Sequence, residues 1–388
     1  MTPASAPTAS LLRPAWDRPA TWLPQLGRHL AAGDGHVLHL DATEAGVPPS
    51  VVQAMLVEAC GALAPDASLH GILIHDDPAE LAAYADLPAP ELPDELDDPD
   101  AARTLERAVA VKRIADAARA RIDRWRFEHA AAPIGDRPLV SVRIPTWRGR
   151  ETLVSRTLPS VLNGDYENIE VIVCSDGPEP DTREAVEAVA RRDPRVRYLE
   201  LPERPRYPAA KINLHRIGGT AAANATIEAA RGAFQCPLDH DDAFTYDHIV
   251  TLLRTAAASG ADFVYGQSVC EMERGIWGVN GVAPLRHGGL SHGAVMWSSR
   301  LAHMRYDADA WLLREPGDWN MFRRMVEAGS KASFIPTAVL VHFAERTAID
   351  SVDVVPPEPG SEEALADLRA TDGAWLLHVP VASPELRP

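Results

Sequence analysis

Apolar residues in the middle of the chain come in short β-branched runs separated by longer segments with helical spacing. Four runs predict strands, at residues 139–144, 169–174, 196–200 and 234–238. Four helical segments follow them in turn, at residues 151–163, 181–191, 219–231 and 246–257. Further strand-like runs lie at 263–266, 294–297 and 340–343. This alternation predicts an α/β fold with an open, mostly parallel sheet covered by helices.

The first ninety residues predict a smaller unit of the same class. A strand at 36–41, a helix at 49–59 and a strand at 69–76 have the order of a parallel βαβ unit. Residues 1–20 are rich in Pro, Ala, Ser and Thr, so we expect a disordered tail there. Residues 21–90 are therefore predicted to form a small α/β accessory module.

Residues 91–135 are predicted to join this module to the larger unit. Glu91 to Asp100 is acidic and carries two prolines, which is typical of an exposed linker. Apolar residues then recur every three or four positions as far as about residue 129, which predicts an amphipathic connector helix. The main domain is expected at 136–348. Residues 349–388, rich in Pro and Glu, are expected to form a C-terminal arm.

Composition excludes several classes of partner. The net charge of −17 disfavours binding to nucleic acid, which needs clustered Lys and Arg. No apolar run is long enough to cross a bilayer, and the start of the chain lacks the pattern of a signal peptide. We therefore expect a cytoplasmic protein without a membrane span. A homodimer stays open, as does the role of the accessory module in partner contact or acceptor placement.

An acidic cluster follows the strand at 234–238 directly, in the order Asp239-His240-Asp241-Asp242. Three carboxylates at one strand end repel one another, and each disfavours the charged form of its neighbours. A divalent cation offsets this cost, because hard cations prefer carboxylate oxygens. An acidic cap on the helix that follows would explain the same residues without a metal. The cluster alone leaves both interpretations open.

Other polar motifs follow neighbouring predicted strands. Pro145-Thr146 ends the first strand, and Asp176-Gly177 ends the second. Ligands of open α/β sheets bind at the carboxyl ends of the strands, where these residues and Asp239 are expected to meet. An Ala-rich helix with Asn224 precedes the acidic cluster, and Gly317-Asp318-Trp319 comes later.

In this order the motifs resemble the family 2 glycosyltransferases of the GT-A fold, over residues 138–346. The resemblance implies an inverting transferase that moves a sugar from a nucleoside-diphosphate sugar to an acceptor, with Mn²⁺ or Mg²⁺ as cofactor. A UDP-sugar is the favoured donor, although an aspartate at position 176 also permits dTDP and GDP. The acceptor is a small molecule, a peptide or a glycan.

The resemblance also assigns roles to individual residues. It makes Asp318 the catalytic base. Nucleotide contacts are expected from Pro145, Thr146, Asp176, Asn224, Asp239 and His240, and metal ligands are expected to be Asp241, Asp239 and His342. We expect His240 to shape the site rather than to bind the metal. A buried core histidine is the alternative for His342.

Two departures from the family pattern affect these assignments. Ala223 stands where an arginine is commoner, so a contact to the donor phosphates is either missing or supplied by Lys211, Arg204 or Arg216. Gly317 stands where the family usually has glutamate, so one acid beside Asp318 is absent.

Two other functions stay open at this point. A sugar-phosphate nucleotidyltransferase has a similar sheet but needs a Gly-rich basic loop after the first strand, which residues 146–150 match only faintly. An inactive nucleotide-binding scaffold is the second alternative. The presence of Asp239, Asp241 and Asp318 argues against it.

Overall fold

The computed structural model describes residues 9–16, 22–32, 36–63, 71–89, 101–133, 135–344 and 362–371. Its strands are β1 Ala9–Leu12, β2 Val37–Asp41, β3 Ile72–His75, β4 Val140–Thr146, β5 Ile169–Ser175, β6 Val196–Glu200, β7 Phe234–Pro237, β8 Ala243–Phe244, β9 Phe263–Glu273, β10 Ile276–Asn280, β11 Val295–Ser298 and β12 Ala332–His342. Its helices are α1 Leu23–Ala32, α2 Pro49–Leu63, α3 Pro78–Leu81, α4 Ala101–His129, α5 Arg150–Thr152, α6 Leu158–Leu162, α7 Pro180–Ala190, α8 Lys211–Ile217, α9 Thr220–Ala229, α10 His248–Ser259, α11 Gly317–Glu327 and α12 Glu362–Ala370. None of the helices within these ranges has the length and apolar character needed to cross a membrane.

The small N-terminal sheet has the strand order β1-β2-β3, with all neighbours parallel. It contains the predicted βαβ unit as β2, α2 and β3. Strand β1 lies within residues 1–20, so the expected disorder is wrong for that part of the tail. Leu11 and Leu12 are buried, and this apolar contribution holds β1 on the edge of the sheet. The predicted acidic linker 91–100 lies outside the described residues.

The large sheet has the order β6-β5-β4-β7-β11-β9-β12-β8, with β10 paired to β9. Strands β4, β5, β6 and β7 are mutually parallel, and β11 reverses the direction between β7 and β9. Strand β12 is parallel to β9, whereas β8 and β10 are antiparallel to their neighbours. The sheet is therefore mixed: six of its nine strands run in one direction, and they include the parallel strands β4 to β7 that the alternation of strands and helices predicted.

Helix α4 is part of the core rather than a solvent-exposed connector. Its residues Ala108, Val111 and Ala115 are buried in an apolar cluster that begins in the N-terminal sheet. The same cluster includes Trp311 and Leu312 of the large unit. Because α4 packs apolar side chains against both the N-terminal sheet and the large unit, the accessory module and the main domain share one continuous core.

Charged side chains of α4 are buried as well. Lys112 Nζ donates to Asp307 Oδ2 at 2.9 Å, and Arg119 NH2 donates to the same oxygen at 3.1 Å. Burial alone would raise the pKa of the Asp307 carboxyl group, but the charges of Lys112 and Arg119 outweigh burial and hold that pKa well below its usual range. The sequence pattern predicted the helix but gave no sign of these partners, which lie almost two hundred residues away.

The C-terminal arm is described only as α12 and Thr371. Leu368 is fully buried in the cluster that contains α4. The apolar segment 374–377 lies outside the described residues. Helix α12 therefore packs on the body of the protein.

His248 is expected to make stability depend on pH. Its ring is 1% exposed, its Nδ1 donates to Val339 O at 2.7 Å, and burial lowers its pKa from 6.5 to about 4. Since the unfolded chain binds this proton more readily, the contribution is complete above pH 6.5 and is lost as pH falls towards 4. The loss amounts to roughly 3 kcal/mol.

Urea unfolding of His248→Asn between pH 4 and pH 7 tests this expectation. In the wild type the free energy of unfolding should rise with pH between pH 4 and 6.5, and His248→Asn should lose a large part of this rise. His129→Asn, at an exposed histidine, should keep it. An unchanged slope in His248→Asn would assign the acid sensitivity to other groups.

Candidate functional site

Three neighbouring strands bring the predicted nucleotide and metal motifs to one edge of the large sheet. Strand β4 lies between β5 and β7 and is parallel to both. Their carboxyl ends carry Thr146, Asp176 and Asp239 respectively. The backbone N–H of Asp176 donates to Thr146 O at 2.9 Å, which ties the first two ends together. The sequence predicted this juxtaposition.

Asp176 lies in a nearly closed site, with 1% of its surface exposed. Tyr207 OH donates to Asp176 Oδ1 at 2.7 Å, and Arg204 Nε lies 3.6 Å from Oδ2. The Arg204 guanidinium also lies over the ring of Trp147, 4.5 Å from its centroid. Burial raises the pKa of the Asp176 carboxyl group, against the hydrogen bond from Tyr207 and the charge of Arg204.

Two polar atoms in this region have unused hydrogen-bonding capacity. Within the described residues, neither Thr146 Oγ1 nor Asp176 Oδ2 has a hydrogen-bond partner, although both atoms are buried. A buried polar atom without a partner costs free energy, so such atoms mark places where a ligand can complete the site.

Asp239 is held by His292, a side chain that the sequence analysis did not single out. His292 Nδ1 lies 2.8 Å from Asp239 Oδ1, and His292 Nε2 lies 2.7 Å from Tyr306 OH. Burial alone would raise the pKa of the Asp239 carboxyl group, but the charge of His292 outweighs it and lowers that pKa to about 2. The pKa of His292 is raised well above 6.5, because Tyr306 and Asp239 outweigh its burial. Asp239 is therefore a fixed carboxylate at neutral pH.

Asp242, the last acid of the cluster, forms a pair with His342. His342 Nδ1 donates to Asp242 Oδ1 at 2.9 Å, and the backbone N–H of Phe343 donates to the same oxygen at 3.2 Å. Burial raises the pKa of the Asp242 carboxyl group to about 6. The hydrogen bond to Asp242 raises the pKa of His342 to about 9. The Asp242 carboxylate is 1% exposed and the His342 imidazole 46% exposed, so a buried carboxylate holds a half-exposed histidine.

The cluster fits a divalent cation in part. Burial raises the pKa of the Asp241 carboxyl group, and the charge of Asp239 adds to this, so a cation would relieve the repulsion. A carboxylate bonded to one ring nitrogen, as Asp242 is to His342, is the usual outer support of a metal-binding histidine. In the part of the chain that the structure describes, however, no three His, Cys, Asp or Glu side chains are gathered to hold a metal. Asp239, Asp241 and His342 therefore do not form a preassembled three-ligand site.

His240 contacts the backbone of the loop that follows β4. A Cβ atom added to Gly149 would lie 1.9 Å from His240 Cδ2, so only glycine leaves room for this ring. His240 therefore packs against this loop, and its role in shaping the site stays a prediction.

A cavity of about 340 Å³ connects the acidic cluster with the predicted base. Asp239 and His292 line one part of it, and Asp318 and Trp319 line another. The backbone N–H of Trp319 donates to Asp318 Oδ1 at 2.6 Å in the first turn of α11. The Trp319 ring stacks on His287, with centroids 5.7 Å apart. Pro145 also lines this cavity.

Asn224 holds the backbone of Tyr306. Its Nδ2 donates to Tyr306 O at 2.9 Å, and its Oδ1 accepts from Tyr306 N at 2.7 Å. Both polar groups of the side chain are thus used to hold the segment that carries the Tyr306 hydroxyl to His292. Asn224 is not among the residues that line the cavity of about 340 Å³, and its nucleotide contact stays a prediction.

Arg216 is the one of the three suggested replacement cations that lines the cavity. Arg204 lies beside Asp176 instead. Two residues that the sequence analysis missed, His292 and Tyr306, also line the cavity. Sequence separation hides both, since Asp239 and His292 are fifty-three residues apart.

Comparison with known proteins finds relatives of the middle part of the chain. The profile described as "Glycosyl transferase family 2" matches residues 141–278. A GalNAc(5)-diNAcBac-PP-undecaprenol beta-1,3-glucosyltransferase of Campylobacter jejuni is 28% identical over 136 residues, which is 35% of this chain and 40% of that protein. Glycosyltransferase GlyG of Streptococcus pneumoniae is 30% identical over 128 residues, or 33% of this chain and 38% of that protein. The chain thus spans well under half the length of these two relatives.

A solved structure, the mannosyltransferase PcManGT from Pyrobaculum calidifontis in complex with GDP-Man and Mn²⁺, superposes with a TM-score of 0.42 at 17% identity. The superposition covers 70% of this chain and 84% of that one. The matched residues 141–278 contain Thr146, Asp176 and the acidic cluster, all at the sheet edge described above. Residues 141–278 therefore match glycosyl transferase family 2, and this match covers about a third of the chain.

Proposed function

We propose that this protein is a metal-dependent, inverting glycosyltransferase that moves a sugar from a nucleoside-diphosphate sugar, with a UDP-sugar favoured, to an acceptor hydroxyl. One observation carries the proposal. The carboxylates of Asp239 and Asp318, from segments almost eighty residues apart, line a single cavity of about 340 Å³. A transferase needs this pairing, because donor and acceptor must meet at one reacting carbon.

The donor is expected to bind along the ends of β4, β5 and β7. Asp176 accepts the imide N–H of a uracil or thymine, and the unpaired Thr146 Oγ1 gives the nucleoside a second polar contact. Asp176 Oδ2 is buried near Arg204, so the base has to enter beside the Trp147 and Arg204 side chains. Asp239, held by His292, is then directed at the ribose.

Asp241, Asp239 and His342 would hold Mn²⁺ or Mg²⁺ together with oxygens of the donor phosphates. When bound, the cation neutralises negative charge on the leaving diphosphate as a Lewis acid. Asp242 keeps His342 oriented for this role, since it occupies Nδ1 and leaves Nε2 as the ring nitrogen that faces a ligand.

Asp318 is the proposed general base. It would take the proton of the acceptor hydroxyl while that oxygen attacks the anomeric carbon from the face opposite the diphosphate. The bond from the anomeric carbon to the diphosphate oxygen breaks in the same step, so the configuration inverts. The hydrogen bond from the Trp319 N–H occupies Oδ1 and leaves Oδ2 for the proton.

The stacked rings of Trp319 and His287 give the acceptor a flat apolar surface beside Asp318. Such a surface suits a sugar ring or an aromatic acceptor, so small-molecule, peptide and glycan acceptors all fit the proposal. A nucleotidyltransferase is less well supported, because the loop after β4 is short and contacts His240 instead of forming a phosphate cradle.

A thermal-shift screen of UDP, dTDP and GDP with and without Mn²⁺ tests the proposal. A ligand at a hundredfold excess over Kd stabilises the native protein by about 2.7 kcal/mol. UDP with Mn²⁺ should therefore raise the melting temperature of the wild type clearly, and Asp176→Ala should reduce that rise. If none of the three nucleotides shifts the wild type in either condition, the donor site is wrongly assigned.

A further inference from the structure

Helix α8 carries a cationic side chain to the reaction cavity. Arg216 lines the cavity from the last turn of this helix, close to Asp318 along the wall, since a Cβ at Gly317 would lie 3.3 Å from Arg216 O. Arg216 NH1 donates to Asn213 Oδ1 at 2.8 Å, one turn earlier on the same helix. This bond restricts the long arginine side chain to one direction.

Asn213 is in turn oriented by the C-terminal helix. Asp367 of α12 is 1% exposed, and its Oδ2 accepts from Asn213 Nδ2 at 2.9 Å. Its Oδ1 accepts from the backbone N–H groups of Ala209 and Ala210, at 2.7 and 3.0 Å. Because Ala210 is the N-cap of α8 and offers no side-chain cap of its own, the carboxylate caps the helix from a distant part of the chain.

The hydrogen bonds have a defined polarity. The Asp367 carboxylate only accepts, so the Asn213 amide must direct its NH₂ group at Asp367 and its carbonyl oxygen at Arg216. Asn213 is 3% exposed, which leaves no solvent to satisfy the amide in another orientation. We call the three side chains Asp367, Asn213 and Arg216 the C-terminal relay.

Arg216 carries a charge without a compensating acid. No described carboxylate forms an ion pair with it, whereas the partly buried Arg195, Arg300 and Arg323 each have one. Burial lowers the pKa of Arg216, and the nearby charge of Arg314 adds to this effect. Positive charge at this wall is therefore available to an anionic ligand.

We propose that α12 is a working part of the reaction cavity, in which Asp367 positions Arg216, through Asn213, to bind the phosphate oxygens of the donor. The idea rests on the proposed function and adds to it a role for a segment outside the matched domain. Arg216 then supplies the phosphate contact that Ala223 cannot make. Asp367 is a positioning residue, because it reaches the ligand only through the other two.

Two substitutions separate positioning from simple capping. Asp367→Asn keeps an oxygen for the backbone N–H groups of Ala209 and Ala210, but places an NH₂ group opposite that of Asn213. The amide of Asn213 must then rotate and direct its own NH₂ at Arg216, which displaces the guanidinium. Adding Asn213→Asp restores an acceptor on both sides of position 213 and so restores the relay at unchanged net charge.

Equilibrium binding to the chain of 388 residues in the presence of Mg²⁺ measures the effect. The probes are the nucleoside diphosphate that stabilises the wild type most, its nucleoside, and inorganic pyrophosphate. Arg216→Ala should weaken binding of the diphosphate and of pyrophosphate roughly 10- to 100-fold, with the nucleoside unchanged. Asp367→Asn should weaken binding of the same two ligands several-fold, again with the nucleoside unchanged. In the Arg216→Ala background it should cause no further loss of affinity. Adding Asn213→Asp to Asp367→Asn should restore part of the lost affinity.

Leu368→Ala is the matched control, because it removes buried contacts of α12 without touching the relay. It should lower the melting temperature and leave all three affinities unchanged. The proposal is wrong if Asp367→Asn changes affinity no more than Leu368→Ala, or if its effect adds fully to that of Arg216→Ala. If no nucleotide binds but pyrophosphate binding still depends on Arg216 and Asp367, the donor assignment fails and the relay stands. Absence of pyrophosphate binding to the wild type overturns the relay itself.

Discussion

Asp318→Asn is expected to lower the rate of sugar transfer by about 10²–10⁴ while nucleotide affinity stays within a few-fold of the wild type. The substitution keeps the shape of the side chain and the oxygen that accepts from the Trp319 N–H. It removes only the basic oxygen that would take the proton of the acceptor. Asp318 comes from α11 and the acidic cluster follows β7, so the proposed donor contacts do not include Asp318 and donor affinity should change little.

The measurement is a single-turnover rate with saturating donor, together with the equilibrium affinity for the matching nucleoside diphosphate. Glu315→Gln, at a nearby acid that pairs with Arg323 instead of lining the cavity, is a suitable control and should keep the wild-type rate within a few-fold. A fully active Asp318→Asn enzyme would leave the base unidentified and reopen a retaining mechanism.

The largest loss of stability is expected from Asp307→Ala. This carboxylate is the shared partner of Lys112 and Arg119, and all three side chains are buried. Without it, the buried charges of Lys112 and Arg119 keep only Asp116 and Asp123 as partners. Breaking a buried ion pair in this way costs about 3–5 kcal/mol. Urea unfolding should show a loss of this size in the free energy of unfolding at neutral pH.

Helix α4 offers a matched control on its exposed side. Arg121 pairs with Glu58 of α2 at 2.8 Å, with both side chains about half exposed. Glu58→Ala should therefore cost less than about 1 kcal/mol. Equal effects of the two substitutions would show that the buried charges of α4 do not join the module to the main domain.

The same contacts bear on where the chain can be cut. A chain that starts near Ala130 lacks Lys112 and Arg119, and it exposes Trp311 and Leu312. We therefore expect such a truncation to lose stability, although none of the predicted nucleotide or metal residues lies before residue 130.

Much of the large unit could be predicted because its signals are local. Strands β4, β5 and β7 are runs of buried residues, and each ends at a polar motif on the same sheet edge. Because the carboxyl ends of parallel strands lie at one edge of a sheet, the proximity of Thr146, Asp176 and Asp239 could be predicted. Strand β1 and helix α8 were missed, since four and seven residues carry too little periodicity to stand out.

The supports of the site could not be predicted, because they depend on side chains far apart in sequence. His292 lies just before β11, and the pairing of β11 with β7 brings it next to Asp239. Asp367 reaches Asn213 across more than one hundred and fifty residues. A lone histidine or aspartate in a sequence carries no sign of such a partner. Asn224 likewise matched a motif, but the sequence did not show that its amide hydrogen-bonds to the backbone of Tyr306.

The most direct test of the central claim is a calorimetric titration of UDP into the wild type and Asp241→Asn, each with Mn²⁺ and with chelator. If the acidic cluster holds a metal against the donor phosphates, Mn²⁺ should strengthen binding to the wild type roughly tenfold or more, equivalent to about 1.4 kcal/mol. Asp241→Asn should abolish most of that gain. Wild-type affinity that is equal with Mn²⁺ and with chelator, or a gain that survives in Asp241→Asn, would contradict the account.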